Sequence, residues 1–191
     1  MFSLYFSLGF EHISDLTGYD HILFLIAICA VYLLNNWKKV LILVTAFTIG
    51  HSVTLALATM NIVNISNDLI EFLIPLTILT SAFFVFFDRS DDFSKKHHVY
   101  KYFTAMFFGL IHGLGFSNYL RAILGGEDNI LLPLFSFNIG LEIGQILIVI
   151  IYLLIATIIV NYLKVKKREF VLIMGGAVAG IALIMAIERF P

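Results

Sequence analysis

Residues 40–60, VLILVTAFTIGHSVTLALATM, carry one ionisable side chain, His51, among otherwise apolar or hydroxyl-bearing residues. As a helix, this run is long enough to cross the roughly 30 Å hydrocarbon core of a bilayer, which puts His51 near mid-membrane. An ionisable ring at that depth is costly without partners and is first read as part of a functional site. The polar residues Asn35, Asn36, Lys38 and Lys39 precede the run and Asn61 to Asp68 follow it, so its ends are defined.

The remaining sequence is of the same kind. The chain has 191 residues, is 60% hydrophobic and 13% charged, and has a mean hydropathy of +0.97. Soluble domains carry about a quarter of charged residues, so this is an all-α polytopic membrane protein. Residues 1–191 form a single integral-membrane domain with no room for a separate soluble one. One cysteine, Cys29, rules out an intrachain disulfide and a thiolate metal cluster. Residues 1–10 hold no Lys or Arg, so they lack the basic start of a secretory signal; they are expected to form a short interfacial or re-entrant helix.

Six transmembrane helices are expected over residues 20–34, 40–60, 69–87, 102–120, 131–163 and 170–187. The fifth run exceeds the roughly 20 residues of a straight crossing, and Asn138, Gly140 and Gly144 mark where it should tilt or break. Gly175, Gly176 and Gly180 in the sixth are expected to allow close helix approach. Of the twelve Lys and Arg residues, all but Arg121 and Arg189 fall in the first, third and fifth loops. The positive-inside rule then puts those loops in the cytoplasm and both termini outside, in a bacterial-type inner membrane.

That topology gives each embedded polar residue a depth. His12, Asp20, His21, His51, Glu71, His112 and the Asn138, Glu142, Gln145 face all fall in the outer half, whereas the inner half offers hydroxyls such as Thr45, Thr104 and Thr157. Residues 138, 142 and 145 are spaced to share one helix face. Imidazoles and carboxylates without usable sulfur suit nickel, cobalt, zinc, copper(II) or non-haem iron. The expected metal ligands are His12, Asp20, His21, His51, His112 and Glu142, with Glu71, Ser52, Asn138 and Gln145 as supporting polar groups.

Plainer roles compete for several of these. His51 and His112 could be satisfied core histidines, and Asp20 a helix cap. Asn138 and Gln145 could join helices by hydrogen bonds. The His97-His98 pair reads as solvated in a basic loop, with a cytoplasmic metal exit as the alternative. Tyr19 and the phenylalanines read as belt or lipid-facing residues.

The segments Gly9-Phe10-Glu11-His12-Ile13, Gly18-Tyr19-Asp20-His21, Phe47 to Thr54, Phe108 to Phe116 and Phe137 to Gln145 resemble, in order, the motifs of the HupE/UreJ family. The resemblance covers nearly the whole chain. It implies a membrane protein tied to hydrogenases and ureases that supplies nickel or cobalt. Asp20-His21 with Phe47 to Ser52 is also similar to the paired motifs of nickel/cobalt transporters, although the His12 to Asp20 spacing differs.

Two functions follow as expectations. One is uptake of a divalent transition metal, with the ion as substrate and the lipid bilayer as surroundings. The other is an intramembrane, zinc-type hydrolase acting on a lipid or lipidated substrate at the outer leaflet, with Glu142 or Asp20 as general base. Enzymatic activity is open at this point, and nothing in the sequence suggests nucleic-acid binding.

Overall fold

The computed structural model describes residues 1–87, 95–124 and 130–191, the side chains of 95–97 aside. The charged run 88–92, the Gly125-Gly126 pair and the His97 ring lie outside the described residues. Eight α-helices follow in order: α1 (Phe2–Ser14), α2 (Asp20–Cys29), α3 (Trp37–Thr59), α4 (Asn67–Phe87), α5 (Lys95–Gly115), α6 (Ser117–Leu124), α7 (Leu131–Thr157) and α8 (Lys167–Glu188). The described residues contain no strand.

Among the described residues, four helical stretches are long and apolar enough to cross a membrane: Leu34–Thr59, Asn67–Phe87, Leu131–Tyr162 and Lys167–Glu188. α5 matches α4 in length but begins with Lys95, Lys96, His97, His98 and Lys101 in its first two turns. α2 differs from the helix expected over 20–34. Its ten residues span about 15 Å, half a bilayer core. The chain turns instead at Ala30, Val31 and Tyr32, all buried, and the Leu34 amide donates to Thr157 Oγ1 at 3.0 Å. That tertiary cap comes from a residue far along the chain, so local sequence carries no sign of it.

The fourth expected span also divides. α5 ends at Gly115 and α6 starts at Ser117, whose hydroxyl donates to the Leu114 carbonyl at 2.7 Å. α7, by contrast, runs without a break through Asn138, Gly140 and Gly144, and its irregularity lies at the other end, where residues Ile158–Tyr162 widen to a π-helix. α3 stops at Asn61, which takes a left-handed conformation (φ 59°) and lets the Ile62 amide reach the Leu57 carbonyl at 2.9 Å.

Glycine explains two of the tightest helix contacts. A Cβ on Gly50 of α3 would stand 2.0 Å from the Met106 carbonyl oxygen of α5, and one on Gly109 2.2 Å from that of Phe47. The same reciprocal contact joins α1 to α7: Gly9 against the Phe137 carbonyl and Gly140 against that of Phe6, both at 2.0 Å. Further along, Gly144 meets Phe10 and Ile13, so α1 and α7 run in the same direction. The glycines expected to break α7 therefore seat α1 along it. In α8, Gly175 lies against Val85 as expected of a close approach, whereas Gly176 and Gly180 face open space.

α3 and α7 run antiparallel and are joined by three side-chain hydrogen bonds. Ser52 donates to Asn138 (2.6 Å), Thr48 to Gln145 (2.7 Å) and Thr45 to Glu142 (2.6 Å). The larger core packs α2, α3, α4, α5, α7 and α8, and a smaller one lies where α1, α6 and α7 meet α3.

Candidate functional site

Each histidine is positioned by the contacts just described. The Gly50–Gly109 contact brings α3 and α5 together beside His51 and His112, and the Gly9–Gly140 contact lays α1 so that His12 points inward. α2 places His21 in its first turn. The four rings converge. His12 and His21 have centroids 4.7 Å apart, His21 and His112 5.1 Å, and His51 lies 5.9 Å from both His12 and His21.

His51 is 0% exposed, His112 1% and His21 6%, yet four of their ring nitrogens and one of His12 lack a hydrogen-bond partner: His12 Nε2, His21 Nε2, both nitrogens of His51 and His112 Nδ1. Unpaired buried polar atoms are uncommon and call for an explanation. One nitrogen from each of His12, His21 and His51 lies within 4.8 Å of the others, so a common point lies no more than about 2.8 Å from all three. Metal–imidazole bonds measure about 2.0–2.1 Å, so a modest inward shift of each ring would close the site on an ion. His112 is tied down from behind, with Nε2 2.8 Å from Thr77 Oγ1. That bond fixes one nitrogen and leaves Nδ1 free to ligate, as outer partners of metal-binding imidazoles do.

The acids behave differently from the imidazoles. Asp20 is expected as a ligand, but its two oxygens accept from Arg189 at 2.8 and 3.5 Å. Glu71, 61% exposed, lies 3.8 Å from the same guanidinium. Burial works against the Arg189 charge, but the hydrogen bond and charge of Asp20, aided by Glu71 and Tyr19, outweigh it and raise its pKa above the ordinary value. Glu142 accepts from Thr45 through Oε1, and its buried Oε2 has no partner. Ser52, Asn138 and Gln145 pair across α3 and α7 rather than with a ring. Among the described residues, no carboxylate joins the group of three converging histidines.

Two further expectations need correction. His98 is buried, with its ring 6.4 Å from those of both Tyr32 and Tyr102, so it is not a solvated loop residue. Phe24, Phe47 and Phe137 are fully buried rather than lipid-facing: Phe24 and Phe47 pack on His112 at 5.0 and 5.2 Å, and Phe137 lies 5.8 Å from His12. Phe116 also covers His12, at 4.0 Å. Sequence periodicity could have flagged Phe47 and Phe108, each one turn from a histidine; nothing local flags Arg189.

Apolar helices of spanning length and a buried group of imidazoles together define an integral membrane protein with a candidate metal centre. The family model described as HupE / UreJ protein matches residues 1–189, and the chain belongs to that family. Neither curated proteins nor solved structures give a match.

Proposed function

We propose that this protein binds a divalent transition metal of the nickel or cobalt type at His12, His21, His51 and His112 and carries it across the membrane. The observation that carries this reading is the set of unpartnered, buried ring nitrogens contributed by four separate helices. Membership in a family associated with nickel and cobalt handling supports it. The chain crosses six times with both termini outside, and the imidazoles lie in the outer half. His51 and His112 sit toward the C-terminal ends of α3 and α5 and His21 at the start of α2, which supports a common depth for the three. An inside-negative potential of 100 mV favours inward movement of a divalent cation by about 4.6 kcal/mol.

Asp20 and Glu142 act from outside the imidazole group. Asp20 lends charge next to His21, and Glu142 offers a buried oxygen one helix away. Hydrolysis is the weaker reading, because among the described residues neither candidate general base joins the three converging imidazoles: Asp20 is held by Arg189, and Glu142 accepts from Thr45 through one oxygen.

The test is elemental analysis of purified protein loaded with nickel or cobalt, paired with uptake into proteoliposomes and a lipid-hydrolysis assay. One equivalent of metal is expected, lost in His51→Ala/His112→Ala together with uptake. Metal content unchanged in that variant, or lipid turnover without uptake, would overturn the proposal.

A further inference from the structure

The same order of residues recurs along three helices. On α2, His21 is followed one turn later by Phe24 and then by Ala27. Toward the N-terminus of α3, His51 is followed by Phe47 and then Leu43. Toward the N-terminus of α5, His112 is followed by Phe108 and then Thr104. Ala27, Leu43, Thr104 and Phe108 line a cavity of about 160 Å³ that reaches the far end of α4 at Phe87. The three phenylalanines make a layer between it and the imidazoles, with Phe24 4.7 Å from Phe47 and 6.1 Å from Phe108.

α4 crosses that layer with oxygens. Thr77 touches His112 on one side, and one turn further Ser81 lines the cavity while donating to the Thr77 carbonyl at 2.8 Å. From this geometry we infer that the cavity is the inner vestibule of the metal's route and that Phe24, Phe47 and Phe108 form the gate that closes it from the histidines. The inference rests on the permease reading and supplies the step after binding. A closed layer of rings excludes water, so an ion cannot cross until a ring turns aside. Phe108 is the ring placed to turn, because it borders the cavity and is 8% exposed, whereas Phe24 and Phe47 are fully enclosed. The Thr77 and Ser81 oxygens then line the opened path.

The experiment uses single cysteines in membrane vesicles of known orientation and a small, membrane-impermeant cationic methanethiosulfonate. The unsubstituted chain, with its one buried cysteine, is the blank. Ser81→Cys is expected to react from the side where α5 begins. Thr77→Cys is expected to react at least about tenfold more slowly from that side, and Phe108→Ala to remove the difference. Phe108→Leu replaces it if the alanine variant does not fold. Failure of Ser81→Cys to react, or equal rates at 77 and 81 with Phe108 intact, would overturn the gate. Labelling needs no transport, so absence of nickel or cobalt uptake would sink the permease reading separately.

Discussion

Arg189 holds the carboxylate next to His21, so a cation arriving at the imidazoles meets a positive charge already in place. The Arg189 side chain is 30% exposed and Asp20 13%, so solvent weakens but does not abolish the repulsion. A screened interaction of roughly 1–2 kcal/mol follows, and Arg189→Gln is expected to tighten nickel or cobalt binding about tenfold at low ionic strength. Titration calorimetry should show the gain shrinking in high salt. Unchanged affinity would mean that the guanidinium serves only to fasten α8 to α2. His51 and His112 were legible from sequence because each is an isolated ring in an apolar run, with a cost that demands partners. The fate of the acids was not. Asp20 and its partner lie 169 positions apart, and Glu142 accepts through one oxygen from Thr45, one of several hydroxyls that look alike in sequence.

At the scale of elements, glycine contacts set which helices meet, and the cost of disturbing them should differ sharply by position. Gly50→Ala forces a methyl group into the Met106 carbonyl, where backbone cannot yield cheaply, and should destabilise the protein by about 2–3 kcal/mol. Gly180→Ala meets no atom and should leave stability unchanged or raise it by up to about 1 kcal/mol through helix propensity. Thermal denaturation in detergent compares the two, and similar midpoints would contradict the contact. Helix identity was readable from long apolar runs bounded by charge, as for α4 and α8. Boundaries set by tertiary contacts were not: α2 stops at Cys29, short of Leu34, whose amide is held by Thr157, and α7 continues through glycines because α1 packs against them. Two glycines of α8 show why composition alone misleads, since Gly175 touches Val85 and Gly180 nothing.

For the whole molecule, the proposed topology makes the two ends of α8 face opposite compartments. Lys166→Cys, at an exposed position before α8, should react with an impermeant thiol reagent only from the cytoplasmic side, and Phe190→Cys only from outside. Reaction of both from one side would refute the crossing. The distribution of basic residues carries this expectation, while the half-length α2 shows that hydropathy cannot tell a full span from a helix that begins inside the bundle. α1 adds a last consequence. Its thirteen residues reach the other helices chiefly along α7, and it alone supplies His12. An ion shared by His12 and the rings of α2, α3 and α5 would act as a clasp, fastening α1 when cargo is aboard and loosening it on departure, so that whether the carrier is loaded is written in the grip on a single short helix.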